Sequence, residues 1–177
     1  MFKKLSVFIF IFLALGIFTK TVLAQDDSVA TPSQNVQKVE YDLPYPGLLP
    51  DNPLYFLKSA RDKLIEILIA SPQKKAEFFL LSSDKRVNTG YYLIQKNKKD
   101  LGVLYISKSN NYMHMAITSA KSAGETGTSL LSKMLTSIQK HEEIIKTVEG
   151  QVDKKNRTQL ENELKRLEEF TTLINKK

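Results

Sequence analysis

Apolar side chains recur at spacings of three and four residues through most of the chain after residue 70, with charged side chains between them. This period places the apolar residues along one side of an α-helix. The three clearest stripes are Ala76, Phe79, Leu80, Val87, Tyr91 and Ile94; Leu131, Met134, Leu135, Ile138, Ile145 and Val148; and the heptad-like seam Leu160, Leu164, Leu167, Thr171 and Ile174. A looser stripe runs over residues 101–117. The pattern predicts an all-α protein.

Prolines and glycines indicate where these helices begin and end. All six prolines lie at or before residue 72, which leaves the rest of the chain free to form long helices. Pro53 and Pro72 each follow a residue that can cap a helix, and Asp100 can cap another. Gly150 is suited to the position just after a helix. We therefore predict helices at about residues 53–69, 72–97, 101–122, 128–149 and 153–175, that is, a bundle of four long helices plus a shorter first one.

The first 24 residues have the layout of a secretory signal peptide. Lys3 and Lys4 precede an almost unbroken apolar run at residues 5–18, which is shorter than the roughly 20 residues that span a bilayer. We predict cleavage between Ala24 and Gln25, with an uncleaved anchor as the alternative. Either outcome places the domain outside the cytoplasm, secreted or in the cell envelope.

Residues 25–42 are polar and almost lack large apolar side chains, so we expect a flexible tether there. Residues 43–177 are then predicted to form a single helical domain that opens with a proline-rich extended segment at residues 43–53. The chain has no cysteine, so disulfides cannot stabilise it.

Net charge argues against a nucleic-acid partner. The whole chain carries +7, but loss of the three lysines before residue 25 leaves a mildly basic domain of mixed charge. Nucleic-acid binding usually needs a concentrated basic face. Contact with a membrane is expected only through an uncleaved leader, if at all.

No arrangement of residues in the sequence is typical of catalysis or metal binding. Neither His114 nor His141 stands in a zinc or di-iron pattern. His141 is expected at the edge of the core and His114 at the surface. Glu77 and Asp84 are expected to lie among solvated surface charges rather than to form an acid–base pair. We therefore predict no catalytic residue, no metal and no cofactor.

The most distinctive stretch is LPYPGLLPDNPLYFLK at residues 43–58. It predicts a stiff extended segment with a turn, running into a capped amphipathic helix. Its aromatic and proline residues have two interpretations: a strap packed over the bundle, or an aromatic surface for a ligand. The candidate residues in either case are Tyr41, Tyr45, Pro46, Tyr55 and Phe56.

This stretch resembles the start of a family of exported bacterial proteins that share a domain of unknown function. The resemblance continues through RDK at residues 61–63, KKAE at 74–77 and DKR at 84–86, and it covers residues 41–95 best. It implies a helical domain outside the cytoplasm. It assigns no activity, and it supplies no catalytic residues.

Two functions remain open from the sequence. The first is a non-enzymatic domain that binds an unknown protein or another cell-envelope partner, or that has a structural role there. The second is a sensor or carrier that holds a small apolar or anionic molecule between the helices, near Tyr91, Tyr92, Tyr105 and Tyr112. A hydrolase is a third and weaker alternative.

Overall fold

A computed structural model describes residues 38–176 of the chain. It contains five α-helices: α1 (Tyr55–Leu68), α2 (Pro72–Gln95), α3 (Lys99–Ser122), α4 (Thr128–Glu149) and α5 (Lys154–Asn175). A short 3-10 turn, Gly124–Gly127, joins α3 to α4. The described residues contain no strand, and the predicted all-α fold of four long helices and a shorter first one is confirmed. Each helix begins and ends within two residues of its prediction.

The predicted leader and its cleavage site, Ala24 and Gln25, lie outside the described residues. Residues 38–176 belong to one compact unit, which has a hydrophobic core of its own. None of the helices in the described part of the chain is both long enough and apolar enough to cross a membrane.

The helix ends follow from local chemistry, with one correction. Ser71 accepts a hydrogen bond from the backbone of Lys74, and Pro72 occupies the first turn of α2. Asn97 ends the same helix in a left-handed conformation, with φ of 59°. The predicted cap at Asp100 is wrong, because α3 begins at Lys99, two residues before its predicted start, and Lys98 occupies the cap position.

Asp100 instead lies in the first turn of α3 and accepts a hydrogen bond of 2.7 Å from the side-chain amide of Asn156 at the start of α5. The predicted cap before Pro53 also shifts. Leu54 occupies the cap position of α1, and its backbone N–H donates to the Asn52 side chain at 2.9 Å.

The four long helices enclose the core. α2 and α3 form an antiparallel hairpin with the most extensive contact in the protein, and α4 packs on α2 while α5 packs on α3 and α4. The fully buried side chains come from all four of these helices and include Leu93, Ile106, Met113, Ile117, Met134, Ile138, Ile145, Leu160 and Leu167. By contrast, no residue of α1 is buried.

Two glycines allow the backbones of α2 and α3 to approach closely. A Cβ atom on Gly102 would lie 2.8 Å from the carbonyl oxygen of Gly90, and a Cβ on Gly90 would lie 2.8 Å from that of Gly102. The same added Cβ would lie 2.6 Å from the Ile106 side chain at Gly90 and 2.5 Å from the Ile94 side chain at Gly102. The two backbones therefore approach more closely than any side chain would allow.

A layer of polar side chains crosses the middle of the bundle. Asp84 and His141 connect α2 to α4, while Asn110 donates to the Glu163 carboxylate at 2.8 Å and connects α3 to α5. Ser83 donates to the backbone carbonyl of Ser109 at 2.8 Å and connects α2 to α3. These residues lie within three positions of the midpoint of their helices, so all four helices contribute to one level.

Replacement of Gly102 by alanine is predicted to destabilise the domain by about 1–3 kcal/mol, because the new methyl group would force the hairpin apart. Alanine's better helix propensity, worth about 1 kcal/mol, acts in the opposite direction but does not relieve the clash. Urea unfolding of residues 35–177 would measure the change. The control is Gly150→Ala, whose Cβ meets open space and should leave stability nearly unchanged. Equal stability of the two variants would contradict the prediction.

Candidate docking surface and its buried support

The segment of residues 38–53, which we call the strap, is attached to two helices of the bundle. The backbone N–H of Val39 donates to Glu143 of α4 at 2.6 Å. The Tyr41 hydroxyl donates to Asp84 of α2 at 2.7 Å, and the Asn88 side chain of α2 donates to the Pro44 carbonyl at 3.0 Å. The predicted tether over residues 25–42 is therefore wrong at its end. Residues 38–42 contribute little apolar surface, and polar contacts hold them in place.

Asp84 is the buried centre of this attachment. The sequence expectation of a solvated surface charge is wrong, because only 3 % of Asp84 is exposed. One carboxylate oxygen, Oδ1, lies 2.9 Å from Nε2 of His141 and accepts a 2.5 Å hydrogen bond from Ser137. The other, Oδ2, accepts from Tyr41. His141 itself is fully buried rather than at the core edge.

The hydrogen bonds keep the Asp84 carboxyl ionised. Burial by itself raises the pKa of Asp84, but hydrogen bonds from His141, Ser137 and Tyr41, together with electrostatic attraction by His141, outweigh it and hold the pKa below its ordinary value of 3.8. Burial and the neighbouring Asp84 carboxylate raise the pKa of the Tyr41 phenol, which therefore stays a hydrogen-bond donor.

His141 lies between a serine and an aspartate, as in serine hydrolases, but its two ring nitrogens have exchanged partners relative to those enzymes. Its Nδ1 lies 3.3 Å from the Ser109 hydroxyl, while its Nε2 faces Asp84. However, Ser109, Ser137 and His141 are all fully buried, so no substrate can reach either hydroxyl in this conformation. We interpret the cluster as structural. Within residues 38–176, no three acidic or histidine side chains converge in the manner of a metal site.

The far end of the strap holds α1. Lys58 of α1 donates to the carbonyl oxygens of Pro46 and Leu48. Asp51 forms an ion pair of 3.0 Å with Lys98 in the turn between α2 and α3. The strap therefore joins the polar layer at one end to α1 at the other.

α1 lies with its polar side towards the bundle and its apolar side outwards. The side chains that are partly covered are Tyr55, Lys58, Asp62 and Glu66, whose three- and four-residue spacing defines one side of the helix. The opposite side carries the exposed residues Phe56, Leu57, Ala60, Leu64, Ile67 and Leu68, which we call the outward face. Phe56, Ile67 and Leu68 are 64, 70 and 72 % exposed. This orientation is the reverse of that usual for a surface helix.

The structure separates the five candidate residues of the strap. Tyr41 points inward to Asp84, Pro46 is buried, and Tyr55 packs edge-on against Tyr105 with ring centroids 6.0 Å apart. Tyr45 and Phe56 are largely exposed. The structure therefore does not gather these residues into one aromatic surface.

The tyrosines expected near a ligand are likewise dispersed. Tyr91 packs against Tyr92, Tyr105 contacts Tyr55, and the Arg86 guanidinium lies 3.6 Å from the centre of the Tyr112 ring. One groove beside the outward face has a volume of about 530 Å³ and lies between Ile67 and residues of α2 and α3, including Phe79 and His114. His114 is exposed, as expected, and stacks on Phe170.

Comparison of the chain with protein-family models, with curated proteins and with solved structures found no match. The resemblance to an exported family therefore remains a prediction.

The Tyr41 hydroxyl is predicted to be important for stability. Tyr41→Phe removes the donor to Asp84 Oδ2 and leaves a partly buried carboxylate oxygen without its partner, which should cost about 1–3 kcal/mol. Tyr45→Phe is the matched control, because Tyr45 is 76 % exposed. Thermal unfolding of both variants would show the difference. A Tyr41→Phe protein as stable as the Tyr45→Phe protein would contradict the role given to this contact.

Asp84 should also make stability depend on acid pH. Its native pKa is below 3.8, so the unfolded chain binds the proton more tightly than the native state does. The ionised carboxylate therefore stabilises the fold above about pH 4, and this contribution is lost as the pH falls through the native pKa. The stability difference between the wild type and Asp84→Asn, measured by urea unfolding, should shrink on acidification below about pH 4. A difference that stays constant would count against an ionised Asp84.

Proposed function

We propose that this chain is a non-enzymatic helical domain, exported to the cell envelope, that acts by presenting the outward face of α1 to a binding partner. The observation that supports this proposal is the inverted orientation of α1. A helix whose apolar side points away from its own bundle gains nothing from that side until something covers it.

The free energy available at this face is large. Fully burying a large apolar side chain is worth about 1.5–3 kcal/mol, and the outward face presents five of them next to one another. Contiguous apolar patches on monomeric proteins usually mark sites of interaction. Isolated exposed apolar residues such as Leu104 on α3 need no such explanation.

The orientation of α1 is fixed by polar contacts, which makes the exposed face a stable feature. Turning the helix inward would bury Phe56 and Ile67, but it would also break the contacts of Lys58 with the strap and withdraw Tyr55 from Tyr105. The surface is therefore held ready for binding, which reduces the entropy that association must overcome.

Two further observations support the non-enzymatic role and the location in the cell envelope. The side chains of Ser109, His141 and Asp84, which contact one another, are buried. Their burial favours a structural role over catalysis. The leader-like first 24 residues and the family resemblance of residues 41–95 are the grounds for placing the domain in the envelope.

The test is whether the outward face retains the domain in the envelope. Residues 35–177, exported behind a cleavable leader so that no native leader can act as an anchor, should remain with the envelope fraction. Ile67→Ser with Leu68→Ser should release most of the protein, because both side chains lie on the outward face. Leu104→Ser removes an exposed leucine elsewhere and should not. Equal retention of all three proteins would refute the proposal.

A further inference from the structure

The positively and negatively charged residues of α1 lie on different sides of the helix. Arg61 and Lys63 border the outward face on its two edges, and their side chains are 64 and 66 % exposed. The two carboxylates of the helix, Asp62 and Glu66, lie on the side towards the bundle and are 25 and 15 % exposed. They pair with Arg61 and Lys63 at 2.7 and 3.0 Å. An approaching surface therefore meets an apolar stripe with a cation on each edge.

A basic cavity adjoins one edge of the stripe. It has a volume of about 210 Å³ and lies between α1 and α2. Four cations line it, namely Lys58, Arg61, Lys85 and Arg86, and Asp62 is the only carboxylate among its lining residues. Arg61 belongs both to this cavity and to the border of the outward face.

Most of this positive charge is uncompensated. Lys58 donates to the strap carbonyls of Pro46 and Leu48, and Arg86 donates to the Ser82 carbonyl and stacks on a tyrosine ring. In the part of the chain that the structure describes, Lys58, Lys85 and Arg86 form no ion pair with a carboxylate. Burial lowers the pKa of Lys58, and the neighbouring cations Lys85, Arg86 and Arg61 add to the effect against the opposing pull of Asp62. An anion in the cavity would relieve this repulsion.

From this arrangement we infer that the outward face of α1 docks onto an anionic phospholipid surface, with the apolar side chains among the acyl chains and the basic cavity against the headgroup phosphates. This inference rests on the proposed function, for which it names the partner. It departs from the expectation that only an uncleaved leader would reach a membrane.

The shape and charge of α1 fit a lipid surface. Helices that lie in the membrane interface have a wide apolar stripe bordered by lysine and arginine, whose long side chains reach the headgroups. From Phe56 to Leu68 the stripe covers about 120° of the helix at 100° per residue, and it contains no charged residue. Each cation held near an anionic surface adds about a fivefold gain in affinity.

A second copy of this chain fits less well. Two outward faces packed together would bring Arg61 and Lys63 of one copy against the same cations of the other, because both borders of the stripe are basic. Asp62 and Glu66, which pair with these two cations, lie on the inner side of α1 and would not face the cations of the second copy. Like charges brought together at the border of an interface oppose association.

The test uses purified residues 35–177 and sedimentation with vesicles of phosphatidylcholine alone or with about one third phosphatidylglycerol. We expect clear binding to the anionic vesicles and weak binding to the neutral ones, with affinity falling as salt rises. Arg61→Gln with Lys85→Gln should weaken anionic binding roughly thirtyfold, about fivefold for each cation. The control pair Lys155→Gln with Lys165→Gln makes the same charge change on exposed positions of α5 and should have a smaller effect.

The apolar face is tested separately. Leu64→Ser with Ile67→Ser should abolish vesicle binding, and Leu57→Ser serves if that pair fails to fold as judged by circular dichroism. Absence of binding to anionic vesicles, or equal binding to both vesicle types, would overturn the inference. So would concentration-dependent dimerisation that is lost in the same variants, which would identify a second copy as the occupant.

Competition with inorganic phosphate shows whether the cavity binds a phospholipid headgroup or free phosphate. Millimolar inorganic phosphate at constant ionic strength should leave vesicle binding largely intact, because a headgroup is held together with its acyl chains. Complete displacement would point to a site for soluble phosphate and overturn membrane docking. If vesicle binding fails while the outward face still retains the domain in the envelope, the inference falls and the proposed function stands. If the face does not affect retention, the proposed function itself fails.

Discussion

The buried contact between Asp84 and His141 is the interaction on which the rest of the structure depends. A single carboxylate joins α2 to α4 through His141 and Ser137 and also receives Tyr41 from the strap. A buried charge that loses its partner costs several kcal/mol, so neither α4 nor the strap can slide along α2 without a large penalty. The contact between Asn110 and the α5 helix lies at the same level. We interpret this polar layer as a device that fixes the register of the four helices.

The register fixed at the polar layer also determines where α1 lies. A helix of 14 residues is marginal on its own, and α1 buries no residue that could hold it against the bundle. Its position comes from the strap, which is attached to α2 and α4 by Tyr41 and Val39 and to α1 by Lys58. Loss of the layer would therefore be expected to release the outward face as well as to weaken the core. Stability and presentation of the surface are linked through a few hydrogen bonds.

The sequence predicts the helices well because their ends depend on nearby residues. Ser71 with Pro72, and the left-handed Asn97, act within one turn of the chain, and the apolar stripes report which positions face the core. The burial of Asp84 could not be predicted in this way. Its partner His141 lies 57 residues away, and a carboxylate beside an apolar stripe is normally solvated. The close hairpin did have a signal, since Gly90 and Gly102 are each followed four residues later by isoleucine.

The sequence could not predict which side of α1 faces the bundle, and the reason is different. Periodicity shows which residues share a side of a helix, but it does not show what that side faces. The usual assumption is that water surrounds the domain and the core is the only apolar environment. For α1 the polar side has partners within the chain, in the strap carbonyls that Lys58 contacts, whereas the apolar side has none among residues 38–176. These contacts hold the polar side inward, and covering the outward side would stabilise this orientation further. The inversion of α1 is therefore the observation behind our proposal that the outward face binds a partner, and the cations at its borders are the ground for proposing an anionic one.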